Sequence, residues 1–116
     1  MARKIDWYYR RNSCATCAKA DAFLEARGLT AREVVDARKV KLPKRETVLM
    51  LRSTVRLVSV KGKTVHDWNL KKDPPIEKDL FGSIMGSTGN LRSPALRIGK
   101  TLVVGFDESL WADLLS

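Results

Sequence analysis

Histidine and cysteine are scarce in this chain: one histidine, His66, and two cysteines, Cys14 and Cys17, among 116 residues. A disulfide-stapled scaffold would need more cysteines at wider spacing. A zinc site of the usual Cys/His kind needs four ligands, which one histidine and one cysteine pair cannot supply within a single chain. No metal is expected. His66 stands in a strand-like stretch with no serine or cysteine beside it, the setting of a structural or surface residue rather than a catalytic base. No apolar run approaches the roughly 18–20 residues of a membrane span. Met1-Ala2-Arg3-Lys4 is charged, with no apolar stretch behind it long enough for a signal peptide, so the expectation is a cytoplasmic protein without membrane contact. Internal repeats and low-complexity segments are lacking too.

What remains is a chain for one domain, over residues 1–116, with one core and monomeric. Hydrophobic residues make up 44% and alternate between strand-like and helix-like patterns, which excludes a disordered tail and indicates an α/β fold. The 22 Lys and Arg outnumber the 13 Asp and Glu, a formal net charge of +9. That balance suits an acidic protein partner, an anionic thiol such as glutathione, an oxyanion or nucleic acid. The basic residues are dispersed and carry no nucleic-acid motif, so a nucleic-acid partner is not expected.

Taken in order, Ile5–Tyr9 reads as a buried strand. Arg10–Ser13 reads as a loop, with Ser13 as N-cap of a helix over 18–27 that aligns Cys17, Ala20, Phe23 and Leu24 on one face. Gly28 ends that helix. A strand at 33–36 completes a strand–helix–strand unit, which implies parallel pairing. Pro43 fits the first position of a helix over 44–53 with Val48, Leu49 and Leu51 inward. Residues 56–60 and 64–68 alternate around Lys61-Gly62-Lys63 as a hairpin, against a competing helix that runs on through Leu57. Asp73-Pro74-Pro75 introduces a helix over 76–85, with Asp73 as its cap. Gly86–Asn90 lacks the Gly-Lys-Ser/Thr ending of a phosphate loop and reads as a surface loop. A second hairpin, 95–98 with 101–104, precedes a helix capped by Asp107 with Leu110, Trp111, Leu114 and Leu115 inward. Trp7, Trp68 and Trp111 read as packing residues.

The chemistry-bearing motif is Cys14-Ala15-Thr16-Cys17. At a helix N-terminus the unpaired N–H groups and the positive end of the macrodipole favour thiolate over thiol. A three-residue step within one turn also brings two cysteines within disulfide reach, so this pair points to thiol–disulfide exchange. Cys14, at the more exposed end, is the nucleophile; Cys17, one turn in, resolves.

The order strand–helix–strand, insert over about 44–90, strand–strand–helix resembles a thioredoxin-like α/β fold, a mixed sheet flanked by helices. More closely it resembles the glutaredoxin-related family of the glutathione-coupled arsenate reductases and the Spx regulators. Tyr9-x4-Cys14-Ala15-Thr16-Cys17-Ala18-Lys19-Ala20 is similar to the opening of Spx-type proteins, and Gly89-Asn90-Leu91-Arg92-Ser93-Pro94-Ala95-Leu96 through Gly105-Phe106 to the family's tail. The resemblance implies a nucleophilic Cys14, a cis-proline at Pro94 facing it, and a mostly helical insert, from which the hairpin at 56–68 departs. The arsenate-holding arginine of those reductases would fall at Ala18, and the arginine directly before their proline is replaced by Ser93, so arsenate specificity is not carried over. Arg92, one residue earlier, is expected with Arg10 or Arg11 to lower the thiol pKa or to bind a carboxylate of glutathione. Arg11, Arg92, Ser93 and Pro94 are thus the expected substrate-binding residues. Two functions follow: a thiol–disulfide oxidoreductase with glutathione or a thioredoxin-type reductant as electron donor and no bound cofactor, or a redox-sensing Spx-like module that docks an acidic protein.

Overall fold

A computed structural model describes residues 4–116; the expectation drawn from Met1, Ala2 and Arg3 lies outside them. Ten elements follow in order: β1 (Trp7–Arg10), α1 (Ala15–Ala26), β2 (Val34–Asp36), α2 (Lys44–Arg52), β3 (Arg56–Lys61), β4 (Thr64–Asn69), α3 (Glu77–Ile84), β5 (Ala95–Ile98), β6 (Thr101–Val104) and α4 (Glu108–Leu115). The six strands form one mixed sheet in the order β2-β1-β5-β6-β3-β4. β1 runs parallel to β2 and β6 parallel to β3, while β1–β5, β5–β6 and β3–β4 are antiparallel. The fold is therefore α/β, and among the described residues no helix is long and apolar enough to cross a membrane.

The strands' two-residue period divides the core. Tyr8, Val58, Leu96 and Val103 point to one face, where they pack with Ala20, Phe23 and Leu24 of α1 and Trp111, Leu114 and Leu115 of α4. Their neighbours Tyr9, Leu57, Ala95, Leu102 and Val104 point to the other, against Leu80 and Ile84 of α3 and Met50 and Leu51 of α2. Helices cover both faces. The 56–68 segment is a hairpin, with Lys61 opposite Thr64 across Gly62-Lys63 and Gly62 at φ +61°. This excludes the competing helix through Leu57. Val58, Val60 and Leu57 are β-branched or apolar residues buried in a central strand, a position that favours extended backbone.

Four local expectations need correction. Helix α1 starts three residues before Ala18, and its cap is Cys14, not Ser13; Ser13 adopts φ +61° in the preceding loop. Pro43 is the N-cap of α2 rather than its first residue. In α2 the inward phase belongs to Thr47, fully buried, while Leu49 is 54% exposed and Val48 and Leu51 are only half-buried. The Thr47 hydroxyl donates to Leu42 O at 3.1 Å, which lets a polar side chain take an inward position. Asp73 caps nothing: α3 begins at Glu77 with Ile76 as its N-cap, and the intervening Pro74-Pro75 puts Asp73 too far from the first free N–H groups.

Gly105, just past β6, is a crossing point. Its N–H donates to Pro94 O at 2.8 Å, its carbonyl accepts from Trp111 Nε1 at 3.0 Å, and φ is +93°. A Cβ there would fall far inside van der Waals contact with the Val60 carbonyl. Gly62 has a similar backbone sign but open space around it. Gly105→Ala is expected to cost on the order of 3 kcal/mol in urea unfolding, through steric and backbone strain together. Gly62→Ala carries backbone strain alone and is expected to cost about 1 kcal/mol. Equal costs would show that the Val60 approach is not what constrains Gly105.

Candidate active site

The two thiols sit where β1 hands over to α1. Cys14 has extended backbone (φ −124°, ψ 117°) and its Sγ accepts the N–H of Cys17 at 3.3 Å, the bond that a serine or aspartate N-cap makes to the third helical residue. The x-x spacing between the cysteines is thus the spacing from N-cap to that residue. Cys14 is partly exposed and Cys17 fully buried, both as free thiols.

The surroundings separate the two sulfurs. Burial alone would raise the Cys14 pKa, but hydrogen bonds from the Cys17 thiol and from the Cys17 and Thr16 N–H groups, with the charge of Arg11, bring it below the ordinary thiol value. For Cys17 the order reverses. Burial pushes its thiol up, and the neighbouring Cys14 adds to this, while the Arg11 N–H and the Ser93 hydroxyl only partly oppose it. Cys14 is the better thiolate and Cys17 the better-protected thiol.

Ser93 brings the segment before β5 to the pair through its contact with Cys17. The Ser93–Pro94 peptide is cis, and Pro94 is buried with its carbonyl held by Gly105. Arg11 is exposed on the thiol side. Arg10 and Arg92, in contrast, are committed elsewhere. Arg10 grips Asp21 of α1 through Nε and Nη2, and the same carboxylate accepts from Tyr8 Oη at 2.7 Å. Arg92 donates from Nη1 to Ser83 O at 2.6 Å and from Nη2 to Val60 O at 2.9 Å. Its guanidinium fastens the end of α3 to β3, and its side chain lines a cavity together with Arg11 and Ser93. Half-burial lowers its pKa without removing its charge.

Sequence reasoning missed three features here. Cys14 as its own helix cap is one, although the Cys-x-x-Cys spacing equals that of a capping box. The Asp21 clasp is another, and its signal was present: Asp21 lies four residues after Cys17 on the same helix face. The third is a cavity of about 310 Å³ beside the site, lined by Arg11, Lys41, Ser87, Thr88, Asn90 and Ser93 among others. The 86–90 segment is a loop as expected, yet it forms one wall. Among the described residues no three His, Cys, Asp or Glu side chains are grouped to hold a metal ion.

In the reduced protein, the alkylation rate of Cys14 depends on its thiolate fraction. A lowered pKa means that the rate reaches half its plateau at a lower pH than for an unperturbed cysteine thiol in the same buffer. Arg11→Ala removes a cation that favours the thiolate, so the midpoint is expected to move upward; an unchanged profile would remove Arg11 from the site. Arg92→Ala is expected to leave the profile in place and to cost about 1–3 kcal/mol of stability, because the Val60 carbonyl loses its guanidinium donor and Ser83 O keeps only that of Ser59 Oγ. Neither a family model nor a curated protein matches the chain, so what the site does has to be argued from this geometry.

Proposed function

We propose that the chain is a small thiol–disulfide oxidoreductase of the thioredoxin-like kind, related to the arsenate-reductase and Spx family by the resemblance of its Cys14–Ala20 and Gly89–Phe106 segments. The observation that carries the reading is the asymmetry of the pair. A partly exposed sulfur caps a helix and is favoured as thiolate, while its partner three residues on is fully buried and favoured as thiol. Two inert structural cysteines have no need of that difference. Further support comes from the strand order: β1-α1-β2 and β5-β6-α4 form adjoining halves of one sheet, with the thiols and Ser93-Pro94 where those halves meet. The β3–β4 hairpin departs from the helical insert that the resemblance implies.

The reaction runs in two displacements. Cys14 thiolate attacks one sulfur of a substrate disulfide; a Cys14–substrate bond forms, the substrate's S–S bond breaks, and the leaving thiolate takes a proton from water. With Cys14 in a mixed disulfide its charge no longer opposes ionisation of Cys17. Cys17 then loses its proton and attacks Cys14 Sγ, which forms the Cys14–Cys17 disulfide and releases the second thiol. The substrate gains two electrons and the pair loses two. A thiol reductant such as glutathione, or a thioredoxin-type dithiol, returns them.

With bis(2-hydroxyethyl) disulfide as substrate and dithiothreitol as reductant, Cys14→Ser is expected to abolish protein-dependent turnover. Reduced Cys17→Ser, freed of dithiothreitol and then given the disulfide, is expected to accumulate a mixed disulfide of one substrate half, visible by intact mass. Full turnover by Cys14→Ser overturns the proposal.

A further inference from the structure

We infer that the cavity beside the thiols is a specificity site for the acidic arm of a small, carboxylate-bearing disulfide. The inference rests on the thiol–disulfide reading and names its substrate class. Three cations reach the cavity from three separate segments: Arg11 from the β1–α1 loop, Lys41 from the segment after β2, and Arg92 from the segment before β5. Among the described residues none that lines it is acidic, and none of these three cations pairs with a carboxylate. Elsewhere the chain does pair its charges, as Arg10 with Asp21 and Arg56 with Asp67. The cavity thus gathers three cations, with no acidic residue among the described residues that line it.

Hydrogen bonds hold the walls together. Leu91 N–H donates to Leu42 O at 2.8 Å, and Pro43 bridges Asn90, which ties the Lys41 segment to the 86–90 loop. Tyr9 Oη donates to Val40 O at 2.7 Å and pins the same segment to β1. Within the loop, Gly86 N–H donates to Asn90 O and Asn90 Nδ2 to Thr88 Oγ1. Ser87, Thr88 and Ser93 add hydroxyl donors suited to carboxylate oxygens. The volume, about 310 Å³, holds roughly ten waters at about 30 Å³ each, which fits one arm of a small disulfide and not a folded partner.

The cavity shares two residues with the surroundings of the thiols. Arg11, whose charge favours the Cys14 thiolate, and Ser93, whose hydroxyl acts on Cys17, both line it, so a carboxylate seated between Lys41 and Arg11 is held by a residue that also acts on the nucleophile. An anion there gains from the half-buried Arg92 charge, which its two carbonyl bonds hold in place. A cationic disulfide meets the same three charges as repulsion.

The test is single-turnover oxidation of the reduced protein by three disulfides of similar size: dithiodipropionate with two carboxylates, bis(2-hydroxyethyl) disulfide without charge, and cystamine with two ammonium groups. Each second-order rate is divided by that of the same disulfide with free mercaptoethanol, which removes differences in intrinsic reactivity. The normalised anionic-to-cationic ratio is expected to be roughly 30-fold, with the neutral disulfide between, and to shrink as salt is raised. Lys41→Glu is expected to cut the ratio about tenfold, whereas Lys63→Glu, the same charge change at the tip of the β3–β4 hairpin, leaves it nearly unchanged. A flat ratio with a normal neutral-disulfide rate overturns the cavity's role alone, as does an equal loss in Lys63→Glu. Failure of all three disulfides to oxidise the pair overturns the thiol–disulfide reading itself and this proposal with it.

Discussion

The thiol end of the sheet depends on one close approach, the main chain of Gly105 lying on the carbonyl of Val60. That contact lets β6 meet β3 side by side at the point where the chain leaves the sheet for α4. From Gly105, one hydrogen bond runs to Pro94 and another comes from Trp111; the Val60 carbonyl in turn receives Arg92. Pro94 and Arg92 flank Ser93, which meets Cys17. A side chain at residue 105 would thus be felt at the sulfurs through two short paths, although Gly105 touches neither.

Helix capping and redox chemistry share one atom. A serine or aspartate at the Cys14 position would close the helix as well or better, because oxygen is the stronger acceptor. With sulfur in the cap, the N–H groups that stabilise the helix also stabilise the thiolate. Oxidation withdraws that charge, so the first turn of α1 loses part of its electrostatic support when the pair forms a disulfide. Arg10, Tyr8 and Asp21 offset this by clamping the next turn to β1.

Much of the element order was legible because alternation and helical spacing are properties of neighbouring residues. The β5–β6 hairpin and the Asp107 cap match their observed bounds, and Gly62 marks the turn of the other hairpin. The misreadings at Ser13, Pro43 and Asp73 are helix starts displaced by one to three residues, whereas others depended on a contact far along the chain or on a side chain used against its type. Thr47 is polar yet buried, since its hydroxyl bonds locally to Leu42. Arg92 was placed near the thiols by its position before Ser93-Pro94, whereas its bonds to Ser83 and Val60, 9 and 32 positions away, had no local signal. Lys41 and the 86–90 loop meet only once the sheet has folded, and no local pattern marks that meeting.

The strand order also bears on how the protein is made. β1 is an interior strand of the sheet, yet its partner β5 pairs Tyr8 with Leu96, 88 positions later in the chain. At a synthesis rate of about 5–20 residues per second, Cys17 precedes Pro94 by roughly 4–15 s. During that interval the thiols lack Ser93, the cavity and half of the sheet. The nascent chain therefore carries a pair whose local cap and Arg11 are already in place but whose burial is not, and the contrast between the two thiols is completed only when the segments from residue 86 onward close over them.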